Sequence, residues 1–184
     1  MIRVIAGKYK GKRLKRVPSR DVRPMPNKLK ESLFSIIQKD LPGSAFLDGF
    51  AGTGSVGIEA LSRGARVVFF VDETYSSIKV IRDNLSNCDA VDGAEVIHKE
   101  FNRAVIKLAG EGMDFDIIFL DPPYRLLDER NPLKVIHKRG ILRENGMIIL
   151  RHHHKTKYRS KYFELKRRVT VGDDVLKFYV VPKS

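Results

Sequence analysis

Apolar positions along this 184-residue chain follow two periods, one typical of buried strands and one typical of amphipathic helices. Strand-length runs rich in apolar residues recur at residues 45–50, 66–71, 94–98, 115–120 and 146–150. Segments with apolar residues at helical spacing lie between them, at residues 54–63, 75–87, 103–109 and 132–138. Strands that are apolar throughout need cover on both faces. The alternation therefore predicts an α/β fold, with a mostly parallel sheet and helices on both of its faces.

The N-terminal end departs from this alternation. Short apolar runs at residues 2–5 and 14–17 flank a basic stretch with two glycines, a pattern that predicts a β-hairpin. Three prolines make residues 18–26 an extended linker. Asn27 follows directly and is placed to cap the helix that comes next.

The C-terminal end also has a hairpin signal. Two strand-like runs, residues 162–171 and 175–181, are separated by Gly172 and the two aspartates after it, a sequence typical of a tight turn. This hairpin is expected to close the main sheet. We therefore divide the chain into a basic N-terminal hairpin with its linker, residues 1–26, and a single sheet domain, residues 27–184.

The net charge of +13 is concentrated at the two ends of the chain. Residues 1–30 carry eleven basic residues and one acidic residue, and residues 151–184 carry ten and three, whereas acidic residues outnumber basic ones between them. Basic segments of this density usually contact phosphates, which favours a nucleic-acid partner over a merely solubilising role. We expect the N-terminal contacts to come from Lys8, Lys10, Lys12, Arg13, Lys15, Arg16 and Arg23.

Composition excludes several other classes of protein. No apolar run approaches the roughly 18 residues that a membrane span needs, and the N-terminus lacks the apolar core of a signal peptide. Cys88 is the only cysteine, so an intrachain disulfide is impossible and a cytoplasmic location is expected. The run His152, His153 and His154 is not expected to bind a metal, because successive side chains on a strand point to opposite faces.

A glycine-rich loop follows the first buried strand. Residues 48–57, DGFAGTGSVG, contain the pattern G-x-G-x-x-G at a junction of strand and helix, where backbone can approach a ligand closely. Oxidoreductases and methyltransferases both use such a loop. Asp72 ends the next strand, where an acid can accept hydrogen bonds from the ribose hydroxyls of an adenosine; Glu73 is a less favoured substitute, and a helix cap is the alternative role for Asp72.

Asp48 discriminates between the cofactors that this loop could hold. A carboxylate so close to the loop would repel the pyrophosphate of a dinucleotide. The sulfonium and the α-ammonium of S-adenosylmethionine are both cationic and would be attracted. The loop therefore favours S-adenosylmethionine over NAD.

The tetrad Asp121-Pro122-Pro123-Tyr124 ends the strand at residues 115–120. The carboxyl ends of parallel strands share one edge of a sheet, so the tetrad is expected to face the same crevice as the glycine loop. A carboxylate from Asp121 and a carbonyl from Pro122 can accept the hydrogens of a base amine and orient its lone pair, and Tyr124 can stack on the base. A proline-terminated strand without catalytic function is the alternative.

These features together resemble a known family. The run FAGTGSVGIEALSRGA at residues 50–65, the acid Asp72 and the tetrad resemble class I methyltransferases that act on exocyclic amines. Three further segments narrow the resemblance to the RsmD type, the small-subunit ribosomal RNA guanine-N2 methyltransferases. They are RVIAGKYKGKRL at residues 3–14, Arg23-Pro24, and KESLF at residues 30–34.

The resemblance implies a seven-stranded Rossmann-like sheet with its last strand antiparallel. It also implies S-adenosylmethionine as methyl donor and the N2 amine of a guanine in 16S ribosomal RNA as acceptor. Carried onto this sequence, the catalytic residues are Asp121, Pro122, Pro123 and Tyr124. The cofactor residues are Asp48, Phe50, Ala51, Gly52, Gly54, Asp72, Glu73, Glu100, Phe101 and Asp121, with Glu100 and Phe101 bordering the adenine.

The chain departs from the family pattern after Arg23-Pro24. The family commonly has a threonine directly after this pair and an aspartate before the helix, whereas this chain has Met25, Pro26 and Asn27. Three other functions stay open from the sequence: an adenine-N6 methyltransferase on DNA or RNA, an RNA-binding protein with an inactive methyltransferase domain, and a nucleotide-dependent oxidoreductase. The sequence also leaves open whether naked RNA or an assembled small-subunit particle is bound, and what the oligomeric state is.

Overall fold

A seven-stranded sheet forms the centre of the fold, in a computed structural model that describes residues 1–20 and 23–184. The strands are β1 (Ile2–Arg3), β2 (Arg13–Leu14), β3 (Ala45–Gly49), β4 (Val67–Asp72), β5 (Ala94–His98), β6 (Phe115–Leu120), β7 (Leu142–His153), β8 (Glu164–Val171) and β9 (Asp174–Val180). The helices are α1 (Asn27–Ile37), α2 (Ser55–Ser62), α3 (Tyr75–Asn87), α4 (Phe101–Gly110), α5 (Tyr124–Glu129) and α6 (Pro132–Arg139).

The central sheet has the order β5-β4-β3-β6-β7-β9-β8, and all of its strands except β9 run in one direction. Strands β3 to β7 pair in parallel, whereas β9 is antiparallel to both β7 and β8. Gly172 turns the chain between β8 and β9 with a φ of 59°. Strands β1 and β2 form a separate antiparallel pair. The mostly parallel sheet, its antiparallel last strand and the N-terminal hairpin are thus confirmed.

Helices cover both faces of the sheet, and each face has its own apolar core. Neighbouring residues of a strand point to opposite faces, so Phe46 of β3 packs with residues of α1, α2 and α3, and Leu47 packs with residues of α4 and α6. None of the helices in the described residues is long and apolar enough to cross a membrane.

The N-terminal hairpin packs onto the first of these cores. Ile2, Val4 and Leu14 are buried in it. The backbone amides of Ile5 and Ala6 donate to the Glu59 carboxylate on α2, with distances of 2.9 and 3.1 Å. The hairpin therefore presents its apolar residues to the sheet domain and its basic residues to solvent.

A buried ion pair joins α1 to α2 beneath the hairpin. Lys30 Nζ lies 3.4 Å from the Glu59 carboxylate, and both side chains are fully buried. Lys30 also donates to the Arg3 carbonyl at 2.8 Å and to Ser55 Oγ at 3.0 Å. Burial lowers the pKa of Lys30, and the charge of Glu59 opposes that shift. The pair thus connects the hairpin, α1 and the first residue of α2.

One local expectation was wrong, and two local features were not predicted. Pro26, rather than Asn27, caps α1, and Asn27 is the first helical residue without a capping side-chain bond. Met25 is buried at 6% exposure, so an apolar residue suits this position. A short helix, α5, begins at Tyr124, because Pro123 ends the extended segment with a φ compatible with a helix cap.

Candidate active site

Three aspartates meet at the carboxyl edge of the sheet because β4, β3 and β6 are neighbours. Asp48 lies within β3, Asp72 ends β4, and Asp121 follows β6 directly. The sheet register places Asp48 opposite Phe70 of β4 and Phe119 of β6. The order of the strands, rather than closeness in sequence, brings the glycine loop and the tetrad to one crevice, as expected.

Positive backbone dihedrals shape the glycine loop. Phe50, Gly52 and Gly54 have φ of 60°, 58° and 79°, a conformation that glycine adopts without steric cost. Phe50 is held there by the loop's own bonds and by stacking on Phe101, with ring centroids 4.9 Å apart. Ala51 N donates to the Val71 carbonyl of β4 at 2.9 Å, which closes the loop against the sheet.

Asp48 is the most deeply buried acid of the site, with 1% exposure. Its Oδ2 accepts a 2.9 Å hydrogen bond from Gly57 N in the first turn of α2. Burial raises the pKa of Asp48 well above its usual range, and the negative charges of Asp121 and Asp72 raise it further. The crevice thus has a local excess of negative charge that a cationic ligand would neutralise.

Asp72 fixes the glycine loop and the entry to α3. Its Oδ2 accepts from Gly52 N at 2.9 Å, and its Oδ1 accepts from the amide and hydroxyl of Thr74 at 3.0 and 2.9 Å. Thr74, not Asp72, is the N-cap of α3. The Asp72 carboxylate therefore holds the glycine loop in place, and its side chain is half-buried.

Glu73, Glu100 and Phe101 lie at the rim of the loop. Glu100 caps α4 by accepting from Asn102 N and Arg103 N, both at 3.1 Å. Arg130 Nη1 lies 3.6 Å from Glu100 and 4.0 Å from Glu73. Phe101 is buried, so its ring supports Phe50 from below. Contact of Glu100 and Phe101 with an adenine, and of Glu73 with the ribose, stays a prediction.

The tetrad begins with a paired carboxylate and ends with an exposed ring. Asp121 Oδ2 accepts a 2.9 Å bond from Arg151 Nη1, while Arg151 Nε donates to Asp174 Oδ1 at 3.2 Å. Burial raises the pKa of Asp121, and the Arg151 guanidinium opposes that shift. Tyr124 is 67% exposed at the start of α5. One carboxylate oxygen is thus fixed by Arg151, and the tyrosine ring is open to a partner.

Arg151 is the site residue that sequence reasoning missed. The sequence gives it no special role beside the basic residues of the C-terminal end, yet its side chain is buried between two acids. Its position at the carboxyl end of β7, the neighbour of β6, was the available signal. The pairing with Asp174 was not visible, because it depends on β9 lying beside β7.

The three histidines do not share one environment. His152 is buried, whereas His153 and His154 are exposed and have ligand atoms within 4.8 Å of each other and of Asp173. The strand ends at His153 and the chain then turns, so the argument from alternating side chains fails at this point. The expected absence of a metal stays a prediction.

The N-terminal basic residues all project into solvent. The set is Lys8, Lys10, Lys12, Arg13, Lys15, Arg16 and Arg23. Lys8 N donates to the Ser62 carbonyl at 2.8 Å, and the Asn84 side chain pairs with both N and O of Lys15 at 2.7 and 3.1 Å. Lys15 Nζ also lies 3.1 Å from Asp83. The segment is therefore a fixed basic face on α2 and α3.

The fold and the site together define a class of protein. The protein is an S-adenosylmethionine-dependent methyltransferase of class I. Three features define this class: a seven-stranded sheet with an antiparallel last strand, a glycine loop after β3, and the tetrad D-P-P-Y after β6. The chain belongs to the RsmD-type family of such enzymes, since the family profile described as Conserved hypothetical protein 95 matches residues 2–180.

Individual relatives agree with this assignment. YlbH of Bacillus subtilis (strain 168) is 37% identical over 175 residues, which are 95% of this chain and 90% of YlbH. A Haemophilus influenzae protein named Ribosomal RNA small subunit methyltransferase D is 33% identical over 149 residues, 80% of this chain and 76% of that protein. The solved structure of yhhF from Escherichia coli has a TM-score of 0.82 at 26% identity, covering 100% of this chain and 99% of yhhF.

S-adenosylmethionine is the cofactor of this class, and the residues present fit it. Its sulfonium and ammonium groups are cations. The crevice contains three aspartates, and of these only Asp121 forms an ion pair with Arg151. The charges of Asp72 and Asp121 disfavour ionised Asp48 when no cation is near, so a bound cation would relieve that repulsion. A pyrophosphate would increase it.

Proposed function

We propose that this protein methylates the exocyclic N2 amine of a guanine in small-subunit ribosomal RNA. The observation that carries the proposal is the Asp121 carboxylate, fixed by Arg151 at the edge shared with the buried Asp48. The name of the Haemophilus influenzae relative supports ribosomal RNA as the substrate. A cytoplasmic location follows from that substrate.

The proposed chemistry depends on positioning. A base amine is a poor nucleophile because its lone pair is delocalised into the ring. Asp121 Oδ1 accepts one amine hydrogen and the Pro122 carbonyl accepts the other, so the lone pair turns toward the methyl group. Arg151 holds Oδ2 and thereby sets the direction of Oδ1. When bound, the donor supplies a methyl group activated by its positive sulfur. Little general-base strength is needed, because the alkylated nitrogen is cationic and gives its extra proton to water, directly or by way of the Asp121 carboxylate.

The proposal assigns the remaining site residues as follows. The amino-acid end of the donor is surrounded by Asp48, Phe50, Ala51, Gly52 and Gly54. Its ribose contacts Asp72 and Glu73, and its adenine contacts Glu100 and Phe101. Lys8, Lys10, Lys12, Arg13, Lys15, Arg16 and Arg23 contact RNA phosphates. Asp121 to Tyr124 receive the base.

Adenine-N6 methylation is the second candidate, because the same tetrad serves that amine. Nucleoside mass spectrometry of small-subunit ribosomal RNA, from cells with and without the gene, separates the two. We expect one N2-methylguanosine to disappear with the gene and to return with the wild-type copy. Loss of N6-methyladenosine instead would establish the second candidate, and no loss of either would reject both.

Donor affinity is expected to fall as the pH drops through a range above the usual pKa of an aspartate. The donor's cation needs ionised Asp48, and burial raises the pKa of that carboxyl. Donor binding should therefore release a proton at any pH below that raised pKa. Calorimetry in two buffers of different ionisation enthalpy measures this release.

The variant Asp48→Asn provides the control for that experiment. An amide oxygen still accepts from Gly57 N, so the fold is retained, and stability at neutral pH does not decrease because ionisation of a buried carboxyl is no longer required. We expect weaker donor binding without proton release. Proton release that persists in Asp48→Asn would contradict the assignment.

Tyr124→Ala is expected to impair methyl transfer more than Tyr124→Phe. The ring is exposed at the start of α5, and stacking on a base requires the ring but not the hydroxyl; such stacking contributes about 1–3 kcal/mol. Steady-state kinetics on RNA should therefore give a KM raised on the order of tenfold or more for Tyr124→Ala, and a nearly normal KM for Tyr124→Phe. Equal losses in both variants would point to a role for the hydroxyl.

A further inference from the structure

A second set of cations lies on the connection between β7 and β8. Along residues 155–161, called the 155–161 segment below, side-chain exposure alternates at every position. The exposed residues are Lys155, Lys157, Arg159 and Lys161, and the half-buried ones are Thr156, Tyr158 and Ser160. Lys155 lies in the turn that follows β7, residues 156–160 have no regular secondary structure, and Lys161 begins a bend. The segment therefore presents four positive charges to solvent, separated by half-buried residues.

Bonds to the body of the protein hold the segment in place. Tyr158 OH donates to Asn131 Oδ1 at 3.2 Å, and Lys177 Nζ donates to the Tyr158 carbonyl at 2.5 Å. Just beyond the segment, the rings of Tyr162 and Phe163 pack on His137, with centroids 5.3 and 5.8 Å away. The backbone that carries the four cations is thus anchored, which lowers the entropic cost of ordering the segment around a ligand.

A groove runs between the segment and α5, and it starts at the tetrad. Tyr124, Leu127 and Asp128 form one wall, and the other wall is formed by His153, Lys155, Thr156, Lys157 and Tyr158. Its volume is about 460 Å³, within the range of small-molecule sites. In the part of the chain that the structure describes, none of the four cations of the segment has an ion-pair partner.

The sheet order places this groove and the N-terminal hairpin on either side of Asp121. The hairpin contacts α2 and α3 through Glu59, Ser62 and Asn84, and these helices pack beside β3, β4 and β5. The segment is bonded to β9 through Lys177. Asp121 follows β6, which lies between β3 and β7. An RNA strand held by the hairpin would reach the groove only after passing the tetrad.

We propose that the groove and the 155–161 segment bind the RNA nucleotides that flank the target base. The four cations contact phosphates, and Tyr124 at the mouth of the groove takes the target base itself. Cations beside aromatic rings are the combination that binds single-stranded nucleic acid. This inference rests on the proposed function, because it requires an RNA substrate for the same site.

The test compares two triple variants of equal charge. The segment variant loses three charges of the 155–161 segment, through Lys155→Gln, Lys157→Gln and Lys161→Gln. The control variant loses three exposed charges elsewhere, through Lys39→Gln, Lys79→Gln and Lys107→Gln. RNA binding is titrated with salt for both variants and the wild type, using small-subunit ribosomal RNA. Methyl transfer to that RNA and calorimetric binding of S-adenosylhomocysteine are measured alongside.

For the segment variant we expect the salt slope to fall by about 2 and RNA affinity to fall on the order of tenfold or more, since each phosphate contact to a single strand contributes about 0.7. KM for RNA should rise while S-adenosylhomocysteine binding stays unchanged. The control variant should behave like the wild type or lose only the small uniform attraction of its net charge. Equal behaviour of the two variants would overturn the inference and leave the proposed function intact. A wild-type protein that methylates no ribosomal RNA would reject the proposed function itself.

Discussion

Asp121→Ala is expected to lower methyl transfer to RNA on the order of a hundredfold to a thousandfold, the usual loss when one preorganised polar contact to the reacting group is removed. The carboxylate is the acceptor that orients the base amine, and Arg151 already fixes it at 2.9 Å. Donor affinity should change by only a few fold, because Asp48 and Asp72 remain. Single-turnover kinetics with saturating donor measures the chemical step directly.

Two further variants make that experiment interpretable. Asp121→Asn keeps one oxygen that can accept a hydrogen and should retain part of the activity. Asp92→Ala removes an exposed aspartate on the turn before β5 and should leave the rate unchanged. Near-normal turnover by Asp121→Ala would refute the mechanism, whereas a loss of folded protein would be visible in the circular dichroism spectrum.

The second large effect concerns stability. Glu59→Ala is expected to destabilise the fold by about 3–5 kcal/mol, because it leaves the fully buried Lys30 ammonium without its counter-charge. It also removes the acceptor for the backbone amides of Ile5 and Ala6. The free energy of unfolding is measured by denaturant titration.

A matched control shows whether burial is the cause. The exposed pair of Lys107 and Glu111 is closer, at 2.6 Å, yet Glu111→Ala should cost under about 1 kcal/mol because solvent screens the pair. The double variant Lys30→Met with Glu59→Leu should recover the part of the loss that comes from the unpaired Lys30 charge. The amides of Ile5 and Ala6 still lack their acceptor in it, so recovery should be incomplete. If Glu59→Ala lowers the free energy of unfolding no more than Glu111→Ala does, the buried pair does not stabilise the packing of the hairpin on the sheet domain.

The sequence predicted the sheet well because its signals are local. Apolar runs located every strand of the main sheet, and β5, β6 and α3 match their predicted bounds. Strand β7 was predicted too short, because it begins four residues before and ends three residues beyond the apolar run at 146–150. The tetrad and the glycine loop were placed together by a general rule about strand ends, without any knowledge of distances.

Features that depend on distant partners were not predictable in this way. Glu59 looks like an ordinary polar position on α2, and only the packing of residues 2–6 and Lys30 over it makes it a buried acceptor. Arg151 looks like one of several basic residues until β9 brings Asp174 beside it. The 155–161 segment lacks a hydrophobic period, so its alternating exposure arises from anchoring by Asn131 and Lys177.

The central claim is that this chain transfers a methyl group from S-adenosylmethionine to a guanine amine of small-subunit ribosomal RNA. The most direct measurement incubates the purified protein with S-adenosylmethionine carrying a deuterated methyl group and with small-subunit RNA from cells that lack the gene. The RNA is then digested to nucleosides and analysed by mass spectrometry. The account predicts deuterated N2-methylguanosine with the wild-type protein and, over the same short incubation, only a small fraction of that label with Asp121→Ala. Label in N6-methyladenosine, or label that Asp121→Ala incorporates equally well, would contradict it.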